Sequence, residues 1–162
     1  VSSERAKELK EQWLERYPEM RGYFRDIGLK LQGGDDVMIQ NRSNRKRGGI
    51  GFCDGANTLF QGLTADGAKA ALYAVAKECY AVPSSALFGT RPVAFVHDEI
   101  IVEANEASAG AAAIRLSEVM IAAMKRYLPD IPVKADAALM RRWYKDAEPV
   151  FDNKGNLEVW KP

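Results

Sequence analysis

The stretch RPVAFVHDEIIVEA, residues 91–104, restricts the fold more tightly than any other part of the chain. Two apolar runs rich in β-branched residues, VAFV and IIV, flank a polar centre of His97, Asp98 and Glu99, and His97 is the single histidine. Read as one strand, residues 93–104 would extend about 40 Å at roughly 3.3 Å per residue, twice the usual strand length. The pattern therefore predicts two short strands joined by a tight turn at His97-Asp98. In one continuous strand Asp98 would point away from His97 and Glu99, because side chains alternate; a turn lets all three project from a hairpin tip. An imidazole and two carboxylates mounted there suit a divalent metal, or a polyanion held through one. The same residues have an ordinary reading too: Asp is common in turns, and a lone His is more often a surface or core residue than a ligand.

Elsewhere the spacing is mostly helical. VSSERAKELKEQWLERYP offers Ser3 as an N-cap with Glu4 in the first turn, then Ala6, Leu9, Trp13, Leu14 and Tyr17 on one stripe. Pro18 interrupts it; Met20, Tyr23, Phe24 and Ile27 resume the spacing before Gly28, so residues 1–28 read as a helical segment. Residues 29–56 are broken by Gly, Asp, Asn and Ser, with strand character only in VMIQ, and read as a loop-rich basic hairpin region. Over residues 57–80 the positions Phe60, Leu63, Ala68, Ala71, Leu72, Val75 and Cys79 predict a helix whose small residues invite close packing. A second long helix is expected from an Asn105 cap, with Glu106 in its first turn and Ala113, Leu116, Met120, Met124 and Tyr127 as its stripe. IPVKADAAL alternates as a strand does, which makes residues 105–145 a helix and a strand, and residues 146–162 form a tail hairpin about an NKG turn. The expected fold class is α+β: long helices packed on a small antiparallel sheet that carries the hairpin at residues 92–104.

With 162 residues and 47% hydrophobic content, the chain can bury a real core as one domain or as a piece of a larger one. Lys and Arg total 23 against 22 Asp and Glu, so net charge makes no case for nucleic acid, and local clusters must. Cys53 and Cys79 are too few and too widely separated for a disulfide framework or a metal site. Reduced thiols and an intracellular protein are the default expectation. No apolar run approaches the roughly 20 residues of a membrane span, and an opening residue of Val1 rather than Met points to a fragment, a processed product or the ordered part of something longer.

NTLFQGLTADGAKAAL followed some way on by VAFVHDEIIVEA resembles the C-terminal palm of family A DNA polymerases, the bacterial polymerase I and phage type. There a helix opening with Asn, then Gln-Gly, Ala-Asp and Lys, precedes a hairpin with Val-His-Asp-Glu at its tip. Here those positions are Asn57, Gln61-Gly62, Ala65-Asp66 and Lys69, then Val96-His97-Asp98-Glu99. AKELKEQWLERYPEMRGYF also resembles the helix that follows the fingers, and the likeness covers roughly residues 3–145.

The resemblance implies a DNA-directed DNA polymerase acting in replication or repair, with primer-template DNA and deoxynucleoside triphosphates as partners and two Mg²⁺ ions as cofactor. It makes Asp98 one of two metal-holding carboxylates, sets Glu99 near the primer terminus and puts His97 beside the primer backbone. Gln61 and Asn57 would reach minor-groove acceptors that every base pair presents; Asn57 near a helix start also has the plainer reading of a cap. Arg42, Arg45, Lys46 and Arg47 in NRSNRKR fall where the family has a basic hairpin against the duplex, and would bind phosphates without sequence preference. A basic run on a loop is otherwise simply solvated, and the neighbouring Asp35-Asp36 partly offsets it.

Departures are specific. The family carries Arg at the position held here by Cys53, and the tail after Trp143 extends past where the family ordinarily ends. No string resembling DYSQIE, which would bring the second metal-binding Asp, or the fingers helix with its Lys, Arg and Tyr, occurs in the chain. The expectation is a polymerase part, in the cytoplasm of a bacterial cell or phage-infected host, that needs an N-terminal portion or subunit for activity. The alternative is a non-catalytic duplex-DNA-binding or interaction module that keeps the palm scaffold. A metal-dependent hydrolase using His97, Asp98 and Glu99 is a more distant reading, since no other His exists to complete its ligands.

Overall fold

The structure, a computed structural model, describes residues 2–32 and 37–162; the Asp35-Asp36 pair lies outside the described residues. Elements follow in the order α1 (Ser3–Arg16), α2 (Glu19–Gln32), β1 (Met38–Ile39), β2 (Lys46–Arg47), α3 (Phe52–Ala81), β3 (Arg91–Val96), β4 (Glu99–Glu103), α4 (Ala109–Lys125), β5 (Val150–Phe151) and β6 (Leu157–Glu158). The chain divides into two compact units, residues 1–63 and 64–162, and α3 contributes residues to both.

In the first unit α1 is capped by Ser2, whose side chain accepts from the Arg5 backbone N–H, so the cap stands one residue before the expected Ser3. Helix α2 runs past Gly28 to Gln32 instead of stopping there. The extension brings Leu31 onto a core of Ile27, Met38 and Ile50, and burying such a side chain outweighs the roughly 1 kcal/mol that glycine costs inside a helix. The antiparallel pair β1–β2 joins Met38 to Arg47 and Ile39 to Lys46, a shorter ladder than VMIQ suggests. Helix α3 begins at Phe52 rather than Asn57. By its residue type Gly55 suits a loop, yet it lies within the helix, where a Cβ would stand 3.0 Å from Leu31 and 3.3 Å from Ile27. Close packing, not a turn, is what that glycine serves.

The second unit gathers Ala71, Val75, Cys79, Leu87, Ile100, Ala112, Val119 and Ala123 into one core drawn chiefly from α3, β4 and α4. A Cβ at Gly67 would collide with the Met124 thioether, which is how the small residues of α3 let α4 approach. Arg115 donates to both carboxylate oxygens of Glu78, at 2.6 and 2.8 Å, clamping α4 to α3. That hydrogen bond holds the Glu78 carboxyl below the usual carboxylate range.

Three further elements differ from expectation. Helix α4 starts at Ala109 behind Ser108, while Asn105 takes a turn just upstream, its side chain accepting from the Ala107 N–H at 3.0 Å. IPVKADAAL forms no strand: its one bridge is an isolated parallel pairing between Leu139 and Val159. The antiparallel pairing is also divided into three two-stranded ladders, β1–β2, β3–β4 and β5–β6, rather than gathered into one sheet. The tail hairpin forms about its NKG turn, with Gly155 at φ 82° and the Asp152 carboxylate accepting from the Lys154 and Asn156 N–H groups. Among the described residues no helix is long and apolar enough to cross a membrane.

Candidate functional site

The hairpin tip is built from β3 and β4. Register runs from Arg91 opposite Glu103 to Val96 opposite Glu99, with an irregularity between Pro92 and Ala94, and leaves His97 and Asp98 as a two-residue connection. Two-residue hairpin loops need positive φ to match the strands' right-handed twist. His97 supplies it at φ 55°, a conformation in which non-glycine residues are uncommon and His is over-represented. Such a backbone persists only where its surroundings impose it. The anchor here is Ile100, 8% exposed and packed in the core, with Val102 against it. His97, Asp98 and Glu99 themselves are all exposed. The two-residue turn expected at His97-Asp98 is present, with Glu99 opening β4 directly after it.

Hard carboxylate oxygens suit Mg²⁺, but that ion takes an octahedral set of ligands. Among the described residues no group of three or more His, Cys, Asp or Glu side chains could hold a metal ion. The donor chemistry of the tip fits; the donor number does not, and a complete divalent site is not assembled from these residues. The tip opens on a groove of about 1460 Å³ lined by Asp98, Glu99, the start of α4 and residues 133–145.

Two other sets of candidates lie in the first unit. Asn57 donates through Nδ2 to Gln61 Oε1 at 2.8 Å, one turn apart on an exposed face of α3. Because α3 starts at Phe52, Asn57 lies inside the helix and does not cap it. Gly62 follows for a packing reason: a Cβ there would meet Gln40 Oε1 at 2.8 Å and Arg45 Nη2 at 3.1 Å. A side chain there would push the Gln40 amide and the Arg45 guanidinium aside.

That loop carries the basic cluster. Arg42 and Asn44 both adopt positive φ, at 69° and 55°, and Arg42 and Lys46 are exposed. Arg45 donates to the Gly62 carbonyl at 3.2 Å. Arg47 donates to Thr58 Oγ1 at 2.9 Å and pairs with Asp54 at 3.2 Å. Arg45 and Arg47 therefore fasten the loop to α3, although a guanidinium keeps further donors for another ligand. Sequence reasoning misses Thr58 and Asp54, and no local pattern marks them, because their partner is in another element. Cys53 is exposed in the first turn of α3.

With this geometry in view, the likeness to known proteins is specific. The chain belongs to DNA polymerase family A, whose family model matches residues 1–145. It is similar to DNA polymerase I of Aquifex aeolicus (strain VF5), at 26% identity over 146 residues that make up 90% of this chain and 25% of that protein. The chain thus spans about a quarter of that relative's length. No solved structure matches.

Proposed function

We propose that the chain is the C-terminal palm part of a DNA-directed DNA polymerase and supplies one metal-holding carboxylate, Asp98, to nucleotidyl transfer. The observation that supports this most is the exposed tip itself, with Asp98 in a two-residue turn imposed on His97 and anchored through Ile100, in a chain of the polymerase family. Paired Mg²⁺ ions, when bound, would stabilise the attacking primer 3′-oxygen and the leaving pyrophosphate. In this reading Asp98 holds them together with a carboxylate from outside this chain, Glu99 stands near the primer terminus and His97 beside the primer backbone. Asn57 orients Gln61 by donating to its Oε1, which leaves the Gln61 amide N–H groups to donate to the minor-groove acceptor of the terminal base pair. Arg42 and Lys46 take phosphates, and Arg45 and Arg47 divide their donors between phosphate and α3.

Template-dependent extension of a primed oligonucleotide with deoxynucleoside triphosphates and Mg²⁺ tests the reading. The complete protein carrying this chain is expected to extend the primer. Duplex binding without extension by that protein would replace the catalytic reading with that of a binding module on a palm scaffold.

A further inference from the structure

Residues 146–162 lie beyond the family match, yet the fold ties them to the groove at the hairpin tip. Trp160 donates its backbone N–H to the Leu139 carbonyl at 2.8 Å, Val159 bridges Leu139, and the Trp160 ring stacks on Tyr144 at 5.0 Å and 15°. Held this way, the tail contributes Leu157, Val159 and Lys161 to the same groove that Asp98 and Glu99 line. Arg142 and Lys145 line it from the preceding segment.

These three cations are exposed, and none is in an ion pair among the described residues, whereas Arg141 beside them is paired with Glu106 at 2.5 Å. The groove is not basic overall, since Glu103, Asp136 and Glu158 line it as well. Bulk attraction therefore does not carry the assignment. What does is the coexistence, in one groove, of carboxylates and cations that, apart from the Arg141–Glu106 pair, form no ion pairs with one another among the described residues. A ligand that satisfies both must itself carry anions and bring cations, which is the chemistry of a phosphodiester backbone approaching with divalent ions.

We propose that the tail completes a phosphate-binding wall of Arg142, Lys145 and Lys161, which holds the backbone of the nucleic-acid strand that reaches Asp98. The assignment rests on the polymerase reading above. Trp160 acts as the positioning residue, keeping Lys161 in the groove through its one backbone hydrogen bond to Leu139 and the stacking of its ring on Tyr144.

The test is the salt dependence of primer-template duplex binding by the complete protein, followed by fluorescence anisotropy. Each phosphate that a variant no longer neutralises should make the negative slope of log K against log salt shallower by about 0.9. Lys161→Gln is expected to show one such decrement, Trp160→Ala the same, and the combined Arg142→Gln, Lys145→Gln, Lys161→Gln variant about three. Lys154→Gln, in the tail turn but outside the groove, should keep the parental slope. A parental slope in the triple variant would overturn the proposal, as would a decrement in Lys154→Gln equal to that in Lys161→Gln. Asp98→Asn measured alongside separates the two readings: a greatly reduced rate with a parental slope supports the polymerase reading whatever the tail does, and a retained rate would overturn both.

Discussion

The hairpin tip at residues 97–99 and the basic loop at residues 42–47 are both polar connections between short antiparallel strands, and both use positive φ at non-glycine residues. They are held in opposite ways. The tip is held from beneath, by Ile100 and Val102 in an apolar core, and its side chains stay exposed. The loop is held by its own charged side chains, Arg45 on the Gly62 carbonyl and Arg47 on Thr58 and Asp54. Where apolar packing does the anchoring, the polar groups are released for an outside ligand. Where polar groups do the anchoring, their charge is partly used within the fold, and counting cations overstates what they offer to an outside anion.

The largest effect on this comparison should come from Ile100→Ala, which removes the anchor beneath the tip. Truncating a buried aliphatic side chain of this size costs about 2–5 kcal/mol, so calorimetry should show a clear fall in Tm. A Tm within about a degree of the parent would mean that the tip does not depend on this core.

Next in size is Gln61→Ala. A donor left unpaired opposite a displaced acceptor costs about 1 to 3 kcal/mol, so the variant should narrow the ratio of matched to mismatched primer extension about tenfold, the equivalent of about 1.4 kcal/mol. Stability should barely change, because an exposed helical position takes Ala well. A lowered Tm at the parental mismatch ratio would make the Asn57–Gln61 pair a structural feature only.

Arg47→Ala should have the smallest effect and sharpen the comparison most finely. Its pair with Asp54 is well exposed, and such pairs contribute about 1 kcal/mol or less. Thermal unfolding should register a small loss, with duplex affinity reduced uniformly across sequences. An unchanged Tm together with a full decrement in salt slope would make Arg47 a phosphate ligand rather than a fastener.

These contrasts also explain what is legible in the sequence. The β3–β4 hairpin follows from composition because two apolar runs and a polar centre leave one economical solution, and the tail turn follows from NKG. Gly28 and Gly55 mislead, since each resembles a break, while Leu31 and Ile27 determine from elsewhere in the fold that helix continues through both. IPVKADAAL alternates as a strand would but finds no strand beside it beyond the single Leu139–Val159 bridge; periodicity reports which face is apolar, not whether a partner exists. The engagement of Arg45 and Arg47 is hidden for the same reason, as Thr58 and Gly62 come from another element.

The central claim is that the exposed carboxylate of Asp98 is reserved for a divalent ion on the reacting phosphoryl group. Rapid-quench measurement of single-nucleotide incorporation by the complete protein, parent against Asp98→Asn with Mg²⁺ titrated, tests it directly. The amide is nearly isosteric but cannot match an anionic oxygen toward a divalent ion as charge develops. The expected result is a rate lower by several orders of magnitude that added Mg²⁺ does not restore, at similar duplex affinity. A parental rate at the parental half-saturating Mg²⁺ would contradict the claim and remove Asp98 from the metal site.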